Sequence, residues 1–170
     1  FSFGGVNDTD PSETIDIDSG KDDIFDSAVT PNDDLLLVGE YLGEVVDFSP
    51  HNSTVDVTRA STLSGGVYYA SGFLASYSGV TSQLMWVASS ITTCAEGDEW
   101  YGVDTSSTHI FAVGEFCGTT TITDGLGATT SIQTSDDLAS PGDESDDIFV
   151  AKFDFEGGLI WVKTLGGAQG

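Results

Sequence analysis

Basic residues are almost missing from this chain. Four Lys and Arg stand against 28 Asp and Glu in 170 residues, a formal net charge of −24. Phosphate binding needs clustered Lys and Arg, so nucleic acid is excluded as a partner, and adsorption to an anionic membrane with it. No apolar run approaches the roughly 20 residues of a spanning helix, so membrane insertion is not expected. Almost nothing carries the helical period. There are two cysteines, Cys94 and Cys117. An even count suits one disulfide in an oxidising compartment, or else two buried thiols. The chain begins at Phe1 without a signal peptide, which reads as a processed form or a fragment. Together with abundant Gly, Ser, Thr and Asp, this makes an extracellular or cell-surface location the expectation.

Catalytic signatures are missing too. There is no G-x-S-x-G, no H-E-x-x-H and no phosphate-cradling glycine loop. His51 lies beside Pro50 in loop-like sequence and His109 opens a strand, neither at a metal-ligand spacing. Glu40 and Glu115 are a carboxylate pair in number only. They occupy equivalent places in a repeat, and acid and base roles demand unequal environments. The chain reads as a non-enzyme.

What is present is a duplication. Val38-Gly39-Glu40-Tyr41-Leu42-Gly43 returns as Val113-Gly114-Glu115-Phe116-Cys117-Gly118, and Leu84-Met85-Trp86-Val87 as Leu159-Ile160-Trp161-Val162. The offset is 114 − 39 = 75 for the first pair and 161 − 86 = 75 for the second. Self-similarity at a fixed period marks a repeat that cannot bury its apolar face alone. Trp86 and Trp161 are then core anchors, and Trp100, aligned with Phe25, is read the same way.

Each copy shows short alternating runs between turn residues, the all-β pattern. Strands are expected near 23–29, 35–42, 54–60, 67–77 and 83–89. Their counterparts lie near 99–103, 109–117, 128–134, 147–154 and 158–165, with Phe155-Glu156-Gly157 as a hairpin turn. The expected organisation is an N-terminal strand with an acidic linker (1–21), a first repeat (22–95) and a second (96–170). The fold class is all-β: two tandem antiparallel four-stranded blade-like repeats forming a sandwich, open barrel or partial propeller, with an N-terminal extra strand.

The stretch from Asp147-Ile148-Phe149-Val150-Ala151-Lys152-Phe153-Asp154 to Gly158-Leu159-Ile160-Trp161-Val162-Lys163-Thr164-Leu165-Gly166-Gly167 resembles the bacterial β-propeller repeat family SBBP. Its blades carry a D-x-F-V-A-K-x-D…G-x-x-x-W…G-G pattern. Val113 to Gly118 resembles the family's V-x-G-x-F/Y-x-G strand. The likeness covers most of 99–167 and is looser over 23–89, where Tyr77 stands at the place of Lys152. It implies a β-sheet scaffold on secreted or surface proteins and carries over no active site.

A closed propeller takes typically four to eight blades, and two leave faces and edges open. The chain is therefore a slice of something longer, a compact two-repeat domain, or one copy among copies that complete each other. Phe1-Ser2-Phe3-Gly4-Gly5 aligns with Lys163-Thr164-Leu165-Gly166-Gly167, the end of a repeat. This orphan strand on an acidic leader pairs within its own chain, adds to a neighbour's sheet, or stays disordered. Head-to-tail donation gives rings or filaments.

Asp16, Asp18, Asp22 and Asp23 alternate around Gly20, which offers oxygen ligands to calcium or is a solvated loop. Calcium is thus a candidate ion, with no cofactor required. Asn7 and Asn52 head N-x-S/T glycosylation patterns. A disulfide between Cys94 and Cys117 would staple the link between repeats to the second repeat's sheet. The expected function is an extracellular structural subunit of a fibre, filament or surface layer, assembled with itself head to tail by β-strand addition through residues 1–5. The alternative is an adhesin-like propeller fragment that binds a glycan.

Overall fold

The computed structural model describes residues 4–5, 22–42, 45–48, 56–58, 69–92, 94, 97–135 and 146–166. They form thirteen strands, and no helix occurs among them. In chain order these are β1 (Gly4–Gly5), β2 (Asp23–Val29), β3 (Leu35–Tyr41), β4 (Val45–Asp47), β5 (Asp56–Thr58), β6 (Ser71–Tyr77) and β7 (Leu84–Thr92). The second half supplies β8 (Asp98–Thr105), β9 (Ile110–Phe116), β10 (Thr119–Thr123), β11 (Thr129–Gln133), β12 (Asp147–Phe153) and β13 (Leu159–Leu165).

All pairings are antiparallel. One sheet has six strands in the order β11-β10-β7-β6-β3-β2, and another has four in the order β13-β12-β9-β8. A short third sheet runs β1-β4-β5. Neither large sheet closes into a barrel. The blocks β7-β6-β3-β2 and β13-β12-β9-β8 have the same order, as the duplication requires.

The duplication extends to the irregularities. Each first strand carries a bulge at the same place, between Ile24 and Asp26 in β2 and between Trp100 and Gly102 in β8. Each last hairpin carries one too, between Ser76 and Tyr77 and between Lys152 and Phe153. A β-bulge opposes two residues to one and fixes register. It also refines the alignment. Ile24 and Trp100 both face the repeat glycine (Gly39, Gly114), so the spacing there is 100 − 24 = 76. Trp100 therefore matches Ile24, not Phe25, and Phe25 matches Tyr101. By the same shift Lys152 matches Ser76, not Tyr77.

The two large sheets pack face to face. Leu36, Val38, Leu74, Trp86, Ala88 and Ile122 of the six-stranded sheet meet Trp100, Ile110, Phe116, Phe149 and Phe153 of the other in one buried cluster. At its centre Trp100 is fully buried. Its indole Nε1 donates to Ser90 Oγ at 2.9 Å, and its ring meets Phe149 edge-on at 5.2 Å. Gly72 provides the space, since a Cβ there would run into the Trp100 indole. The other face of β3 and β6 is apolar as well. Leu37, Tyr41, Phe73, Ala75 and Tyr77 form a second cluster under Phe48, whose carbonyl accepts from the Tyr77 hydroxyl at 2.7 Å.

The long edge is tied by side chains. Val103 N donates to Asp26 Oδ2 at 3.0 Å and the Thr105 hydroxyl to Val29 O at 3.2 Å, which joins β8 to β2. At the opposite end two hairpin turns interlock over Trp86. Its Nε1 donates to Phe155 O at 3.0 Å, and Gly125 N donates to Gly157 O at 2.9 Å. Gly157, at φ 93°, lies against the indole and has the left-handed backbone that favours glycine.

Cys94 and Cys117 form a disulfide across 23 residues of sequence. It fastens the exit of β7 to the exit of β9. A loop of that size is worth about 3 kcal/mol on the chain-entropy argument. Reduction should lower the melting temperature by about 6–12 °C for a chain of this length, read by calorimetry with and without reductant; an unchanged melt would deny the bond its role. Gly72→Ala should destabilise by about 1–3 kcal/mol through overpacking, with red-shifted tryptophan emission as the indole is displaced. A wild-type denaturation midpoint would show that the contact relaxes freely.

Candidate assembly interface

The hairpin β10–β11 does not stay with its own repeat. It leaves the four-stranded sheet and pairs with the tail of β7, Thr120 opposite Thr92 and Thr123 opposite Ser89. Thr119 to Thr123 suits this edge, since β-branched side chains fit a pleated surface and Thr120 and Ile122 point inward. The junction between repeats is thus made twice, once by stacked faces and once by a hairpin of the second repeat added to the last strand of the first.

The equivalent hairpin of the first repeat, β4–β5, has the equivalent partner. It pairs with β1, Gly4 opposite Asp47 and Gly5 opposite Val46. Gly4 and Gly5 align with Gly166 and Gly167, which one repeat earlier are Ile91 and Thr92 of the β7 tail. Ile91 pairs with Thr121, whose counterpart is Val46, so the two junctions agree to within one residue. β1 therefore stands on β4 where a repeat's last strand would stand. Gly4 and Gly5 pair here with β4 of their own chain.

At the far end β13 pairs only with β12 among the described residues. Its tail, Lys163 to Leu165, is exposed, whereas the matching Ala88 and Ser90 are buried against the second repeat. The outward face of the four-stranded sheet is apolar and uncovered. Ile148 is 53 % exposed, Val113 40 % and Leu165 59 %. Phe111 and Trp161 lie 6.3 Å apart on it, and Lys152 sits over the Phe111 ring at 5.6 Å. Trp161 is therefore not a core residue as its sequence position suggests. Its counterpart Trp86 is buried by a following repeat, and Trp161 is only half-buried.

The remaining predicted sites disperse. Glu40 is buried between the sheets, whereas Glu115 is half-buried and accepts the Tyr101 hydroxyl at 2.5 Å. Asp22 precedes β2 and Asp23 begins it. Asp16, Asp18, His51, Asn7 and Asn52 lie outside the described residues. His109 Nδ1 lies 2.7 Å from the Thr108 hydroxyl in the turn before β9. Among the described residues no three His, Cys, Asp or Glu side chains are placed to hold a metal, and no helix is long and apolar enough to cross a membrane. Sequence reasoning missed β4 and β10. Each follows a glycine directly after a longer strand, so each was absorbed into the turn.

Tyr101 is the perturbed group of this face. Partial burial raises its phenol well above the ordinary tyrosine range, and the hydrogen bond to Glu115, with Glu99 nearby, raises it further. The fold thus holds the protonated form. Its contribution to stability is intact below the unfolded value of about 10 and is lost as pH rises beyond it. In an alkaline absorbance titration Tyr101 should ionise late. Glu115→Gln should bring it part of the way down, and a variant with an unmoved titration would remove Glu115 as a cause.

Comparison with known proteins adds no relative: no family model matches the chain, and no curated protein matches it either.

Proposed function

We propose that this protein is a structural subunit of an extracellular fibre or surface layer, whose copies join head to tail by β-strand addition. The observation that carries this reading is the β1–β4 pair. A two-residue strand on an aligned leader occupies the edge that, one repeat later, takes a nine-residue strand. Residues 1–5 mark the edge where exchange takes place, since a short strand held mainly by backbone hydrogen bonds gives way readily to a longer one. The disulfide is consistent with an oxidising, extracellular setting. The repeat type resembling SBBP supports a scaffold, with repeats stacked face to face as blades are. A chain of net charge −24 repels its own copies. Assembly is therefore promoted by salt or by calcium at the acidic loops.

Electron microscopy of the concentrated protein tests this. Filaments are expected, more of them as salt or calcium rises. Locking the slot with Gly4→Cys and Asp47→Cys should stop filament growth under oxidising conditions and restore it on reduction. Discrete particles from the wild type at every ionic strength would overturn the reading.

A further inference from the structure

The incoming strand at the β4 edge can be named. We infer that it is the tail of β13 from a second copy, and that β1 is a place-holder which this tail displaces. The inference rests on the proposed head-to-tail assembly and identifies its joint.

Consider what covers each face inside the chain. The inward face of the second repeat (Ile110, Ala112, Phe116, Phe149, Phe153) packs on the back of the first (Leu36, Val38, Leu74, Trp86). Under the repeat alignment that inward face matches Leu35, Leu37, Tyr41, Phe73 and Tyr77, the cluster under Phe48. The back of the first repeat matches the uncovered face of the second. Leu36 corresponds to Phe111, Val38 to Val113, Leu74 to Val150, Trp86 to Trp161 and Ser90 to Leu165. One end of the molecule thus carries a face of the acceptor type, buried beneath Phe48 in this structure, and the other end is the face that junction was built from. The hairpin rule agrees. β10–β11 takes the tail of β7, so β4–β5 takes the tail of a β13.

Three observations make the occupant a second copy of this chain. Residues 1–5 repeat the alternation and the paired glycines of 163–167, so the β4 edge already accepts this sequence type. The outward face is apolar in the same register as the buried back of the first repeat. Where it differs, it gains charge: Lys152 replaces Ser76 and Lys163 replaces Ala88. These are two of only four basic residues in a chain of net charge −24. On this face they stand beside Glu99, Asp104 and Glu115, so the two lysines are the cationic points at which a face of mixed charge can meet the carboxylates of a second copy. A second copy docked this way makes a heterologous contact that repeats by the internal step, so it propagates.

The test separates this joint from donation of residues 1–5. A variant lacking residues 1–5 should form filaments without the lag of the wild type. Leu165→Asp, an exposed position that leaves the fold intact, should slow filament growth at least tenfold. Mixing Gly166→Cys protein with Asp47→Cys protein, each lacking residues 1–5, should give a mixed disulfide dimer absent from either alone. If the deletion abolishes filaments that the wild type forms, residues 1–5 are the donor, and this inference falls while head-to-tail strand addition stands. Filaments that grow without the mixed cross-link, and that Leu165→Asp leaves unchanged, would equally overturn the β13 joint. Discrete particles from both wild type and deletion variant would overturn joint and fibre together.

Discussion

A four-stranded sheet that is apolar on both faces cannot stand alone in water, and everything else in this molecule follows from that constraint. β3 and β6 are buried on both sides along nearly their whole length. One side is met by the second repeat around Trp100, the other by the cluster under Phe48. Burial of large aromatic and aliphatic side chains is worth roughly 1.5–3 kcal/mol each, so leaving either face bare would consume the margin by which a domain of this size is stable. The second repeat inherits the same two-faced design. Only one of its faces is answered within the described residues.

Backbone, rather than side chain, makes the junction specific. Sheets with apolar faces could slide over each other by two residues at small cost, because the hydrophobic effect is non-directional. Here sliding is blocked at both ends. The hairpin β10–β11 is hydrogen-bonded to β7 in a fixed register, and Asp124 holds the turn. Its Oδ1 accepts from Leu126 N and Ala128 N, and its Oδ2 accepts from Leu159 N of β13 at 3.0 Å. One buried carboxylate thus connects the added hairpin to the last strand of its own repeat. At the other edge Asp26 reaches Val103 N in the same manner. In a chain so acidic, the informative carboxylates are those that satisfy backbone donors instead of facing water.

Much of this was legible in the sequence because a duplication is read from identity of pattern, not from propensity. The paired glycines of Gly39 and Gly114, the two Trp strands and the turn at Gly157 are all where the alternation places them. The strands β2, β12 and β13 begin or end within a residue of the expected positions. Two things were illegible. A bulge adds one residue without leaving a composition signal, so the alignment drifts from 75 to 76 over β2 and β6, and Trp100 is assigned to the wrong partner. The destination of a hairpin is likewise not a local property. Nothing in Thr119 to Thr123 says that these residues join the preceding repeat's sheet. The position of Trp161 was misjudged for a related reason: equivalence in sequence implies equivalence of environment only where the neighbouring repeat is also present.

An open sheet edge next to an apolar face is a hazard that natural proteins blunt with charge, most often lysine. β13 has Lys163 at this edge, and Lys152 lies on the adjoining strand. In most proteins such lysines would simply repel a second edge. Here they share their face with Glu99, Asp104 and Glu115, and on the proposed assembly they pair with carboxylates of a second copy of net charge −24 instead of repelling it. The remaining repulsion between copies is long-range and is weakened by salt within roughly 10 Å at 0.1 M, whereas apolar contact and strand pairing act at van der Waals distance. On the proposed assembly, copies are kept apart by charge at low ionic strength and held by shape once screened. On that proposal the short β1 covers the β4 edge in the meantime. A two-residue strand suits that purpose because it satisfies the edge without competing for long against the nine-residue class of strand that β7 represents.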